Sequence, residues 1–283
     1  MHKVLVSVVI PAWNEAENLP HVLPQISHDV HEVILVDGHS TDGTADVALG
    51  LHPRVRVVCQ EGRGKGAALR TGFAAATGDV IVMLDADGST DPREMPMYIG
   101  ALMAGADFVK GSRFLQGGGT SDMSPLRWMG NMGFVMTVRL LFGGQYSDLC
   151  YGYNAFWRHV LPQLDLDGDG FEIETMMNVR ALKAGLRITE VPSFEHERIH
   201  GVSHLRTFAD GWRVLKTILR EGMGSIMNAP TTRTMSTMIP VAPLQPAAPV
   251  LRTMGHFRPS AEPHHILSHS VEVELLEREV GSI

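Results

Sequence analysis

Apolar residues come in short runs along the first hundred positions, and polar clusters interrupt them at regular intervals. Val4 to Ile10, Glu32 to Val36, Val55 to Cys59 and Val80 to Leu84 are rich in β-branched and aliphatic residues, as strands of a buried sheet are. Between them, Glu15 to Ile26, Gly43 to Leu49 and Gly66 to Ala76 read as helices. Alternation at this spacing predicts right-handed βαβ units around a mostly parallel sheet. In such sheets ligands collect at the carboxyl ends of the strands. The polar motifs stand there: Asn14-Glu15 after the first strand, Asp37 after the second, Arg63 and Lys65 after the third, Asp85 and Asp87 after the fourth. Four strand ends are therefore expected to face one crevice.

From Ala106 the pattern is less regular. Phe108-Val109 reads as a further strand leading to Gly111-Ser112-Arg113, and Gly117 to Ser121 as a mobile loop. Leu126 to Phe142 reads as an apolar helix carrying Arg127 and Arg139. Gly170-Phe171-Glu172-Ile173-Glu174 opens a helix running to about Lys183, with acids near its start as the helix dipole prefers. Arg187 to Val191 is a strand closed by Pro192, and Leu205 to Arg220 a last helix. Seven of the sixteen prolines fall in the final 59 residues, so residues 1–224 are expected to form the folded domain and 225–283 a Pro-rich flexible tail. Within that tail, Ser270 to Val280 has the pattern of a short amphipathic element.

Composition narrows the function. A chain of 283 residues with 44% apolar residues can bury a substantial core. Its net charge of -7 argues against nonspecific nucleic-acid binding, which needs a basic surface. Two cysteines, Cys59 and Cys150, are too few for a disulfide framework and suit a reducing compartment. No run approaches the roughly 18 to 20 apolar residues that span a bilayer, and the N-terminus lacks a signal-peptide pattern. The expectation is a cytoplasmic protein, at most peripheral on a membrane.

The segment Leu84-Asp85-Ala86-Asp87-Gly88 carries the most chemistry. Two carboxylates one residue apart at a strand end offer hard oxygen ligands to a Mg²⁺ or Mn²⁺ holding a diphosphate. Alone, the same pair also fits a turn in which one Asp caps and the other is solvated. Arg63 and Lys65 lie among Gly62, Gly64 and Gly66, but the Gly-Lys-Ser/Thr ending of a P-loop is missing.

In sequence order, Val9-Ile10-Pro11-Ala12-Trp13-Asn14-Glu15-Ala16-Glu17-Asn18-Leu19, Val36-Asp37-Gly38-His39-Ser40-Thr41-Asp42-Gly43-Thr44, Gly64-Lys65-Gly66-Ala67-Ala68-Leu69 and Asp85-Ala86-Asp87 resemble a family 2 glycosyltransferase of GT-A fold. Gly111-Ser112-Arg113, Ser147-Asp148-Leu149-Cys150-Tyr151-Gly152-Tyr153, Gly170 to Glu174, and Val191-Pro192 followed by Arg198, Gly201 and Ser203 resemble the polyprenyl-phosphate (dolichyl-phosphate) mannosyl and glucosyl transferases within it. The resemblance covers roughly residues 4–220. It implies an α/β fold, a Rossmann-like, mostly parallel sheet flanked by helices.

The resemblance also implies roles. Pro11, Ala12, Asn14 and Glu15 correspond to the nucleoside-contacting loop, and Asp37 to the carboxylate that reads base or ribose. Lys65, Ala86 and Asp148 fall with the donor. Asp85 and Asp87 would hold the metal, with Ser89 as an outer partner. The acceptor would be a polyprenyl phosphate, already anionic, so that a cationic clamp is needed rather than a general base: Arg113, Arg127 and Arg198, with Ser203 and His204. His204 stands where the family commonly has a lysine. Glu172, with Glu174 nearby, would serve as base if the acceptor were a hydroxyl, and would position the donor sugar or a basic residue otherwise. Asp87, Glu172 and Arg113 are thus the catalytic candidates. Many relatives continue into membrane-spanning helices; here Arg206, Arg213, Lys216 and Arg220, beside Trp212, Leu215, Ile218 and Leu219, offer a basic and apolar face that suits either a membrane surface or packing on the core. A hydroxyl acceptor, a nucleotidyltransferase and a silent nucleotide-binding module are the alternatives. The first strand leads into Pro11-Ala12-Trp13 rather than a Gly-rich signature with a Lys, which disfavours the second, and retention of both aspartates disfavours the third.

Overall fold

The computed structural model describes residues 3–202 and 205–227. In chain order the strands are β1 (Val6–Ala12), β2 (Glu32–Asp37), β3 (Val55–Cys59), β4 (Val80–Met83), β5 (Phe108–Ser112), β6 (Gly119–Thr120), β7 (Asn154–Trp157), β8 (Ile188–Pro192) and β9 (Phe194–Glu195). The helices are α1 (Leu19–Val22), α2 (Thr44–Leu51), α3 (Lys65–Ala75), α4 (Met95–Met103), α5 (Pro125–Phe142), α6 (Leu161–Leu164), α7 (Glu172–Lys183) and α8 (Thr207–Met227).

Seven strands form one sheet in the order β3-β2-β1-β4-β7-β5-β8, and β6 pairs with β9 in a two-stranded ribbon. All pairings are parallel except those of β7, which runs antiparallel between β4 and β5 with Ala155 opposite both Val82 and Val109. The period of two divides the core. Val9, Ile34, Val36, Ile81 and Met83 face the cluster under α3, α5, α7 and α8. Val8, Ile10, Val33, Leu35, Val80 and Val82 face the other cluster, with α1, α2 and α4.

Several elements depart from the sequence reading for identifiable reasons. The helix expected over 15–26 shrinks to Leu19–Val22 and a 3-10 turn, Leu23–Gln25. Pro20 is tolerated in the first turn, but Pro24 has no amide to continue the ladder. β7 and α4 carry no clear periodic signature in the sequence. The last helix runs past Arg220 to Met227. Ion pairs from Arg180 and Lys183 to Glu221, at 2.8 and 2.6 Å, tie α8 to α7. Ser203, His204 and the expected tail, with its 270–280 element, lie outside the described residues.

Candidate active site

The carboxyl ends of β1 to β4 border a cavity of about 910 Å³ whose other walls come from α5, α7 and α8. Pro11, Ala12 and Glu15 enter from β1, Gly38 and His39 from β2, Gln60 and Gly62 to Lys65 from β3, and Asp85, Ala86, Asp87 and Ser89 from β4. The crevice expected from four strand ends is therefore present.

Asp85 and Asp87 are held by their own loop and by a distant one. Thr90 Oγ1 accepts from the Asp85 amide at 3.3 Å, while Ser89 donates to Asp87 Oδ1 from its amide at 3.0 Å and its hydroxyl at 2.6 Å. Gly88 has φ +80°, and a Cβ there would meet Ile199 Cδ1 at 2.4 Å. That close approach lets Ile199 donate its amide to Asp87 O at 3.1 Å. The neighbouring Arg198 consequently reaches Asp87 Oδ2 at 2.9 Å with Nη2 and Glu15 Oε1 at 2.9 Å with Nη1. Asn18 Nδ2 donates to Glu15 Oε2, and Asn18 Oδ1 accepts the His200 amide at 2.8 Å, which closes the loop onto the β1 end.

Asp85 has a cation as well. Lys65 Nζ lies 2.7 Å from Asp85 Oδ1 and 2.6 Å from Glu174 Oε1. Burial opposes the charge on Lys65, yet the two carboxylates outweigh it and hold the ammonium above its ordinary pKa. Burial pushes Glu174 upward, against the pull of Lys65. The Lys65 backbone is fixed: Gly66 donates to Asp169 O at 2.8 Å, and a Cβ on Gly64 or Gly66 would come within 2.3 Å of a carbonyl oxygen in the 168–170 loop. Gly152 closes the other side, since a Cβ there would lie 2.9 to 3.1 Å from Asp85, Glu174 and Lys65.

A third ion pair, the one that is buried, underlies the cavity. Arg113 donates Nε to Asp148 Oδ2 at 2.6 Å and Nη2 to Oδ1 at 2.9 Å, and its Nη1 reaches Glu195 Oε2 at 3.0 Å. Burial alone would raise the Asp148 pKa, but the Arg113 guanidinium holds it below the usual carboxylate range. Arg113 borders the cavity and Asp148, fully buried, does not. Asp148 therefore meets Arg113 rather than the cavity itself.

Other sequence candidates sit differently. Asp37 accepts the Ser40 amide, and Asn14, at φ +55°, accepts the Thr41 amide at 2.8 Å. Neither borders the cavity; both shape the loops that do. Glu172 turns to the 168–170 loop, accepting the amides of Asp169 and Gly170 at 3.2 and 3.0 Å, and Glu174 borders the cavity in its place. Arg127 borders the cavity with an ion pair to Asp122 at 3.3 Å. Glu195, Gln60, His39 and Trp13 also border the cavity and escape sequence reasoning, although the last two lie inside the family motifs after β1 and β2. So does the apolar wall of Met123, Leu126, Phe134 and Val214.

No group of three potential metal-binding side chains occurs among the described residues. Two aspartates and a serine hydroxyl nevertheless fit Mg²⁺ or Mn²⁺, because such ions are commonly held by one or two carboxylates while substrate phosphates and water complete the shell.

Residues 7–164 match Glycosyl transferase family 2. The chain belongs to that family. This glycosyltransferase is 35% identical over 212 residues to polyprenol monophosphomannose synthase of Mycolicibacterium smegmatis, covering 70% of this chain and 80% of the relative. It is 35% identical over 214 residues to undecaprenyl-phosphate mannosyltransferase of Micrococcus luteus, covering 71% and 87%. Among solved structures it is similar to glucosyl-3-phosphoglycerate synthase from Mycobacterium tuberculosis in complex with Mn²⁺, UDP and glucosyl-3-phosphoglycerate, with a TM-score of 0.62, 26% identity, and 78% and 80% of the two chains covered. The same enzyme with Mg²⁺ and UDP gives a TM-score of 0.63. The family 2 glycosyltransferase thus has the GT-A fold that its motifs imply, and none of its described helices is long and apolar enough to cross a membrane.

Proposed function

We propose that this enzyme transfers a hexose from a nucleoside-diphosphate sugar of the GDP-mannose or UDP-glucose type to a polyprenyl phosphate, with inversion at the anomeric carbon. The observation that carries this reading is the double character of the cavity. One half holds the strand-end acids with Lys65 and Arg198, and the other is walled by Met123, Leu126 and Phe134 of the α5 region and Val214 of α8. A prenyl chain gains about 25 cal/mol for each Å² of apolar surface that it buries on such a wall. The relatives whose names specify polyprenol or undecaprenyl phosphate support the same acceptor.

In this reading the nucleoside lies against Pro11, Ala12 and Glu15, with the Asp37 and Asn14 loops behind, and Asp85 and Asp87 hold Mg²⁺ or Mn²⁺ with Ser89 orienting Asp87. When bound, the metal ion would stabilise negative charge growing on the leaving diphosphate. The chain's own residues orient and exclude water. Arg127, beside Leu126 on α5, is the cation for the acceptor phosphate, which attacks as an anion and needs no base. Arg198 is held on Asp87 and Glu15 and belongs with the diphosphate half. Arg113, its fork committed to Asp148 and Glu195, stiffens the wall between the halves.

The decisive experiment supplies GDP-mannose or UDP-glucose with Mn²⁺ to the protein and polyprenyl phosphate. A lipid-linked sugar is the expected product; release of nucleoside diphosphate only with hydroxyl acceptors would overturn the reading. A hydroxyl acceptor is the second reading. It is favoured by the likeness to an enzyme solved with UDP-glucose and phosphoglyceric acid, and by Glu174, a buried cavity carboxyl with a raised pKa.

A lipid acceptor requires the cavity mouth to meet a membrane. α5 exposes Trp128, Met129 and Met136, and α8 exposes Phe208, Trp212 and Leu219 alongside Arg213, Lys216 and Arg220. Aromatic and aliphatic groups mixed with cations suit an anionic lipid surface. Replacing Phe208 and Trp212 by serine is expected to weaken sedimentation with anionic vesicles by about tenfold or more, from the burial lost. The KM for the lipid should rise and that for the nucleotide sugar should not. Unchanged vesicle binding would contradict this orientation.

A further inference from the structure

Each aspartate of the Asp85-Ala86-Asp87 pair has a cation of this chain upon it, and each cation is gripped from behind by a second acid. Lys65 bridges Asp85 and Glu174 at 2.7 and 2.6 Å. Arg198 bridges Asp87 and Glu15, both at 2.9 Å. The two rear acids are the more enclosed members: Glu174 is 4% and Glu15 7% exposed, and both arise from different elements than the aspartates. Lys65 and Arg198 both border the cavity.

This arrangement sets two demands on one pair of carboxylates. A divalent ion approaching Asp85 or Asp87 meets an ammonium or guanidinium already within 3 Å of the same oxygens, which repels it. An entering diphosphate offers the two cations other partners, and both ammonium and guanidinium bind phosphate oxygens well. The backbone of Lys65 is pinned by the 168–170 carbonyls, while its stem has free torsions, so the head group can change partner without the loop moving.

We propose that Lys65 and Arg198 are exchangeable counter-cations, which neutralise Asp85 and Asp87 while the donor is absent and pass to phosphate oxygens when a nucleoside diphosphate enters, releasing the aspartates to the metal. Glu174 and Glu15 are positioning residues that keep the two cations at the cavity wall through the exchange. Metal and diphosphate then bind with positive coupling, each strengthening the other by the same factor. The inference rests on the metal reading of Asp85 and Asp87 given above.

Mn²⁺ titrations of the full chain followed by electron paramagnetic resonance test it, with and without GDP or UDP. Mn²⁺ is expected to bind weakly alone and about tenfold or more tightly with nucleotide. Lys65→Met should tighten Mn²⁺ binding in the absence of nucleotide, and weaken nucleotide binding in EDTA as measured by calorimetry. Arg198→Met should do the same through Asp87, and serves if the buried Lys65 change impairs folding. Opposite signs for the two ligands distinguish exchange from a structural role, which would weaken both. Equal Mn²⁺ affinity with and without nucleotide, or weakened Mn²⁺ binding in both variants, would overturn the exchange alone. Failure of Mn²⁺ to bind even with nucleotide would remove the metal reading and the exchange with it.

Discussion

Asp87→Ala is expected to lower kcat for sugar transfer by at least about 100-fold while leaving the fold intact, since loss of one preorganised electrostatic group at a leaving charge costs on that order. The carboxylate borders the cavity at the end of β4, and its Oδ1 is aimed by two donors of Ser89. Little else depends on it structurally. Arg198 keeps Glu15 as a partner when Asp87 is removed, so no buried cation is orphaned. Steady-state transfer measured with Mn²⁺ and saturating donor checks this. Turnover within about tenfold of the unaltered protein would show that the charge of Asp87 is not used in the reaction, a difference worth about 1.4 kcal/mol in the barrier. Unchanged circular dichroism and melting temperature would confirm that the loss is chemical.

The Asp148→Ala substitution should act instead on stability. Removing one member of a buried, doubly hydrogen-bonded pair leaves an uncompensated charge and costs about 3 to 5 kcal/mol. Here the stranded group is Arg113, whose side chain is 6% exposed against 0% for Asp148. Glu195 relieves part of the cost through Nη1. Replacing both partners by apolar residues should recover much of the stability, because the desolvation penalty disappears with the charges. Chemical denaturation of the single and double variants checks the pair of outcomes; a single variant as stable as the parent would contradict the buried pairing.

The sign of the pH dependence follows from the lowered pKa of Asp148. Its stabilisation is fully present above the unfolded carboxyl value of about 3.9 and is lost as pH falls through the lower folded value. The stability gap between parent and Asp148→Ala should therefore be constant near neutrality and narrow only in acid below about pH 4.

Much of the framework was legible in the chain. Buried strands read as unbroken aliphatic runs because both faces of a parallel sheet are covered, and the turn after each run had to carry whatever chemistry the crevice performs. Val80 to Leu84 followed by Asp85 and Asp87 is the clearest case. Legibility failed where a signal was short or cancelled. β7 spans four residues and pairs antiparallel between two parallel strands, a placement that no local period encodes. The helix expected from Glu15 broke because Pro24 removed an amide, a local fact present in the sequence but outweighed by the hydrophobic spacing.

At the site, position was legible and partnership was not. The sequence alone determined that acids and cations would gather at four strand ends, because strand period and loop location are local properties of the backbone. It also determined the family, through the order of its motifs. Only the tertiary structure decided which charge meets which. Arg198 finds Glu15 across 183 residues, and Arg113 finds Asp148 across 35. The same assembly gave Glu174 the cavity and turned Glu172 to a loop amide, although both belong to the first turn of α7. Ion pairing depends on distance in space and on burial, and both are properties of the packed sheet and its covering helices rather than of any stretch of chain.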